Sequence, residues 1–101
     1  MKEKENNCCD MRGMLSFLIL FLLSKKQMSG QDITNELEKR RGDRPSPGTI
    51  YPALKSLKEA GFIEEKEENE GKTINYILSN EGKKALKIAK QKFIRNFSDI
   101  I

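Results

Sequence analysis

The stretch 46-SPGTIYPALKSLKEAG-61 holds the densest set of side chains able to do chemistry in this chain. Ser46, Thr49, Tyr51 and Ser56 carry hydroxyls, Lys55 and Lys58 carry ammonium groups, and Gly48 leaves one backbone position bare. That chemistry is recognition and not bond-making. Hydroxyls give and take hydrogen bonds and lysines attract anions, but no base stands beside them to activate a nucleophile. The chain has no histidine, which removes the commonest general base and the commonest metal ligand together. No nucleophile elbow, phosphate-binding loop or metal-ligand spacing occurs, so no enzyme and no cofactor are expected.

The same stretch reads as a helix. Ser46 stands at the N-cap position, Pro47 takes the first helical position, and Gly61 is the stop signal. Ile50, Ala53, Leu54 and Leu57 recur at helical spacing and form an inward stripe. The opposite face then carries Gly48, Pro52, Lys55, Ser56 and Glu59, flanked by Thr49, Tyr51 and Lys58. Pro52 costs a helical hydrogen bond and is a poor choice on a merely solvated face. A helix with hydroxyls, lysines and an N-terminal dipole facing outward suits the major groove of double-stranded DNA. A surface helix that is simply polar outside is the other reading of these residue types.

The remaining elements must position that face. The chain has 101 residues, 37% apolar and 34% charged, which is one globular domain with a modest core. The apolar run 14-MLSFLILFLLS-24 is far short of the roughly 20 residues needed to cross a bilayer, and acids precede it where a signal peptide has bases. It reads as a core helix from about Met11 to Lys25, apolar on nearly all sides. A second subunit is one way to cover it, with Leu15, Leu18 and Leu22 as contacts. Ser29 caps a second helix that runs to about Arg40, with Asp32 completing a capping box and Gly42 ending it. After the quoted helix, Phe62, Ile63, Ile74, Tyr76 and Leu78 fit a β-hairpin. Ser79 caps a final helix to about Phe97. Its apolar positions Leu86, Ala89, Phe93, Phe97 and Ile100 step by three and four, a coiled-coil-like seam.

Helix, helix, helix, hairpin, helix is the winged helix-turn-helix order: mainly α, with a small β-hairpin and a C-terminal helix. The expected divisions are a flexible tail over 1–10, a winged helix-turn-helix DNA-binding domain over 11–79 and a C-terminal helix over 80–101.

Charge qualifies the picture. The net charge is +4, which permits an anionic partner without requiring one. The wing, 64-EEKEENEGK-72, has five glutamates and two lysines, so its strand reads as a solvated face and only Lys72 and Thr73 near the tip are candidate DNA contacts. Lys39, Arg40, Arg41 and Arg44 precede the third helix. They either flank the groove, with Arg44 the best placed, or offset the dipole of the second helix. The final helix is basic from Lys83 to Arg95, which reads as a wet outer face that also attracts DNA non-specifically. Phe17, Phe21, Phe93 and Phe97 read as core, with a ligand pocket between the first and last helices as the alternative. Cys8 and Cys9 are too few for a zinc site or a disulfide framework, which suits a reducing cytoplasm.

The string from Gly30 to Leu86 closely resembles the N-terminal domain of the PadR-like transcriptional regulators. The resemblance is carried by 48-GTIYPALKSL-57, by 60-AGFI-63 and by 76-YILSNEG-82. Where that family often has an aromatic after the glycine of the second helix, this chain has Gln31. The resemblance implies a homodimeric DNA-binding regulator, often a repressor, with the third helix as recognition helix and the last as dimerisation element. It implies the short subfamily with a single C-terminal helix, and leaves room for a small-molecule effector. The competing reading is a winged-helix protein-interaction module that does not bind DNA, which the acidic wing motivates.

Overall fold

The computed structural model describes residues 6–97, with side chains described over 14–95. In chain order the elements are α1 (Asn6–Leu23), β1 (Met28–Ser29), α2 (Gly30–Arg41), α3 (Pro47–Glu59), β2 (Ile63–Glu68), β3 (Thr73–Leu78) and α4 (Asn80–Phe97). The expected order is present, with β1 added. The helix α1 starts at Asn6 and not near Met11, so residues 6–10 of the expected tail are helical. The side chains of Cys8, Cys9 and Phe97, and all of Ile100, lie outside the described residues.

The apolar circumference of α1 explains its central place. It packs against α2, α3, α4 and β3. Leu15, Ile19, Leu20, Leu22 and Leu23 are buried, and Phe17, Leu18 and Phe21 are half-buried. Much of the cover that a second subunit was expected to supply comes from the chain's own elements. Leu15, Leu22 and Leu86 are core residues of the single protomer.

The second helix has the capping box its sequence suggested. Ser29 Oγ accepts from the Asp32 amide at 3.1 Å, and the Asp32 carboxylate accepts from the Ser29 amide at 3.3 Å. Gly42 closes it in the left-handed conformation, its amide donating to the Glu38 carbonyl. Ser46 differs from expectation. It occupies the N-cap position of α3, but its hydroxyl makes no cap bond and lies 3.3 Å from Thr49 Oγ1 instead.

The sheet has three antiparallel strands in the order β1-β3-β2. The hairpin aligns Ile63 with Leu78 and Glu68 with Thr73, and β1 sets Met28 opposite Tyr76. Two residues are too few to show an alternating pattern, which is why β1 was not read from the sequence. Alternation also misleads at Ile74, which is exposed near the wing tip, while neighbouring Asn75 is buried and donates to Glu68 Oε1 at 2.8 Å.

One junction joins α3, the wing and α4. The Ser79 amide donates to the Phe62 carbonyl at 3.0 Å, and Ser79 Oγ donates to the Gly61 carbonyl at 2.6 Å while accepting from the Gly82 amide at 3.0 Å. The first turn of α4 therefore sits directly on the backbone leaving α3. A Cβ at Gly82 would run into the Phe62 carbonyl. Backbone cannot swing aside as a side-chain tip can, so Gly82→Ala is expected to destabilise the fold by about 1–3 kcal/mol. Urea unfolding of the variant checks this, and an unchanged midpoint would remove the junction from the account.

Candidate nucleic-acid interface

The outward face of α3 is laid out as its spacing dictates. Ile50, Leu54 and Leu57 are buried and Ala53 is half-buried, whereas Ser46, Gly48, Thr49, Tyr51, Pro52, Lys55, Ser56 and Lys58 are all exposed. Pro52 lies inside the helix. Its missing N–H leaves the Gly48 carbonyl without the donor it would have four residues on, so the bare face presents an acceptor as well as hydroxyls and ammonium groups. A groove of about 350 Å³ runs between Leu15 and Ser16 of α1 and Gly48, Thr49, Pro52 and Ser56 of α3.

Tyr51 has a seat that the sequence did not reveal. Its ring lies against Gly30, the first residue of α2, where a Cβ would stand 2.8 Å from the phenol oxygen. The tyrosine is nevertheless 50% exposed, so one edge is packed and the other is free. A glycine directly after an N-cap serine was the available signal, since glycine is a poor helix former unless something lies close. Gln31, Thr34, Arg44 and Pro45 line a notch beside the same ring.

Two expected contacts are already engaged. Arg44 Nη1 donates to Asn35 Oδ1 at 2.8 Å and to Glu38 Oε1 at 2.9 Å, which ties the loop before α3 to α2. Lys58 Nζ lies 3.1 Å from Glu65 Oε2 of the wing. Both pairs are exposed enough that they orient their side chains more than they stabilise the fold. Among the described residues, Lys55 and Ser56 have neither kind of side-chain tie, and they stand on the same face.

The wing glutamates divide into two kinds. Glu64, Glu67 and Glu70 are exposed, as expected of a solvated strand. Glu65 holds Lys58, and Glu68 accepts from Gln27 Nε2 at 3.0 Å as well as from Asn75. The second kind fixes the wing to the body. At the tip Lys72 is exposed, and Thr73 Oγ1 accepts from Asn69 Nδ2 at 3.2 Å.

Of the residues expected at a dimer contact, Leu18 and Ala89 are half-buried and Phe93 is exposed. The rings of Phe17 and Phe93 stack at 5.8 Å, joining α1 to α4. Met14 of α1 and Ile88 and Ile94 of α4 are also exposed, Ile94 at 64%. Sequence spacing passed over Ile88 and Ile94 because they lie off the three-four seam of α4.

Comparison with known proteins agrees with this geometry. The sequence pattern of the transcriptional regulator PadR-like family matches residues 19–88. A PadR family transcription regulator from hypervirulent Clostridium difficile is 31% identical, over 85% of this chain and 92% of its own, with a TM-score of 0.72. RosR of H. salinarum is 30% identical over 82% of this chain and 74% of its own, with a TM-score of 0.74. A PadR-like transcriptional regulator from Bacillus cereus is 25% identical over 89% of this chain and 90% of its own, at a TM-score of 0.78. No curated protein matches the chain. Among the described residues, no helix is long and apolar enough to cross a membrane.

Tyr76 reports on the seam between α3 and the wing, where Tyr51, Lys55 and Lys58 face Glu65 across a cleft of about 310 Å³. Burial raises its phenol above the ordinary value of 10.0, and the Glu65 carboxylate and Tyr51 add to the rise. A raised value in the folded state means that neutral Tyr76 contributes stability below the unfolded value, and that this is lost as pH climbs through the folded one. In an alkaline titration, tyrosinate absorbance should therefore continue to rise beyond the usual tyrosine range. Tyr76→Phe should abolish that late phase. Its absence from the parent would show that the seam is open to water.

Proposed function

The chain belongs to the PadR-like family of transcriptional regulators, and from that premise we propose that it is a homodimeric repressor acting on an inverted-repeat operator. The family is one of transcription regulators and not of enzymes, and the winged helix with its exposed polar face on α3 supports DNA binding as the way this chain acts. In the proposed complex α3 of each protomer enters a major groove. Thr49, Tyr51, Lys55 and Ser56 reach bases and phosphates, Gly48 and Pro52 let the duplex come close, and Ser46, Arg44 and Lys58 hold the flanking backbone. Lys72 and Thr73 at the wing tip add a minor contact.

The observation that carries this reading is the division of α3. Its apolar stripe is spent entirely on the core, while every polar group assigned to the groove is exposed on one continuous side. The absence of a side-chain cap at Ser46 and of any acid in the first turn leaves the positive end of the helix dipole uncompensated, which favours a phosphate.

Dimerisation is assigned to α1 and α4, through Leu18, Ala89 and Phe93 with Met14 and Ile94 beside them. Leu15, Leu22 and Leu86 support that surface from beneath. On this arrangement residues 11–79 act as the DNA-binding unit and the helix from residue 80 as the pairing element. A two-fold dimer calls for half-sites about one helical turn, roughly 34 Å, apart or a multiple of it. The setting is the reducing cytoplasm. An effector, if one acts, would work through the α1–α4 region that sets the spacing of the two reading heads.

Two experiments test the assignment. Tyr51→Ala and Lys55→Ala should each weaken operator binding by about tenfold or more, because a good contact contributes about 1–3 kcal/mol. The dimer should persist in sedimentation. If both changes together leave affinity unaltered, the reading face is misassigned. Glu65→Gln releases Lys58 from its carboxylate. It should tighten DNA binding and steepen the salt dependence by about one unit of slope, and an unchanged slope would mean that Glu65 does not withhold Lys58 from the DNA backbone.

A further inference from the structure

Three cations from three different elements converge on one aromatic ring. Lys25 Nζ lies 4.8 Å from the centroid of Phe21, Arg40 Cζ lies 5.2 Å from it, and Lys90 Nζ lies 5.7 Å from it. Lys25 is in the turn after α1, Arg40 in the last turn of α2 and Lys90 in the middle of α4. Any two of these charges are thus within about 11 Å of each other, comparable to the Debye length of about 8 Å at physiological salt, so salt does not fully hide them from one another.

Local compensation falls short. Among the described residues no carboxylate pairs with any of the three. Glu36, one turn before Arg40, is held by Lys39 at 3.3 Å, and Glu81 at the start of α4 by Lys84 at 3.5 Å. No acid stands between Gly82 and Asn96. The Phe21 ring has two faces for three cations. The ends of α1 and α2 offer about half a negative charge each at most. Lys90, mid-helix, draws nothing from an end of its own helix.

We propose that Lys25, Arg40 and Lys90 form a binding site for a phosphate-class oxyanion, with Phe21 as its apolar floor. The Arg40 guanidinium supplies a planar fork that matches two oxygens of a tetrahedral anion, and the two lysines supply mobile point charges. All three residues are exposed, so the site is open to entry. It uses no residue of α3 and does not rest on the operator assignment. The phosphate comes either from a free small molecule or from the backbone of bound DNA. Because the site ties α1 and α2 to α4, an anion there would stiffen the helix assigned to dimerisation.

The test compares the full chain with an Arg40→Gln/Lys90→Gln double variant, at one protein concentration. The control is Lys66→Gln/Lys92→Gln, which removes the same charge elsewhere. Thermal unfolding is followed as inorganic phosphate replaces chloride at constant ionic strength, and duplex binding is followed across a salt series. Phosphate stabilises proteins generally by exclusion from their surface, and that effect acts on all three proteins alike. If the site takes free oxyanions, the parent and the control gain about 3 °C or more beyond the double variant. If DNA phosphate is the source, that gain is missing, and the double variant loses about one unit or more of salt slope relative to the control. Equal phosphate response together with equal slope in the double variant and the control would overturn the proposal.

Discussion

A helix that is apolar around most of its circumference has to be covered from several directions at once, and in this chain α1 is that helix. It meets α2, α3, α4 and β3, so the other elements take their places by packing on it. Burial of each large aliphatic side chain contributes about 1.5–3 kcal/mol, and α1 alone supplies five buried leucines and isoleucines. The polar face of α3 is aimed outward because Ile50, Leu54 and Leu57 have been drawn inward onto this common core. The hydrophobic requirement of the first helix thus sets the orientation of the third.

Polar ties then fix what burial leaves loose. Capping at Ser29 sets the start of α2 and so the position of Gly30, against which Tyr51 rests. Ser79 binds the exit of α3 to the entry of α4 through the Gly61 and Phe62 carbonyls. Glu65 and Glu68 anchor the wing, through Lys58 on one side and Gln27 and Asn75 on the other. These bonds contribute modest energy individually. Their effect is on geometry, since each one holds an element that presents a candidate contact residue.

Most of this was legible in the sequence for physical reasons. Helix boundaries carried capping serines, a proline at the first position and glycine stops, and the stripe from Ile50 to Leu57 had a period no strand could share. The family resemblance rested on the same α3 residues, and the match over residues 19–88 shows it. What was not legible depended on tertiary proximity. The two residues of β1 had no period to detect. Gly30 and Gly82 looked like ordinary glycines until Tyr51 and the Phe62 carbonyl were seen beside them. Leu15 and Leu22 read as partner contacts because spacing reports that a residue is buried, and not which chain buries it. The meeting of Lys25, Arg40 and Lys90 over Phe21 joins positions up to 69 residues apart in the sequence, which no local pattern encodes.

The central claim is that the bare side of α3 reads DNA sequence. The most direct measurement is binding of the purified protein to duplex DNA from immediately upstream of its own gene, over a salt series and against unrelated competitor DNA. The account predicts binding that weakens steeply with salt yet resists a large excess of competitor, because phosphate contacts and base contacts act together. No binding even at low salt, or equal competition by any duplex, would contradict it.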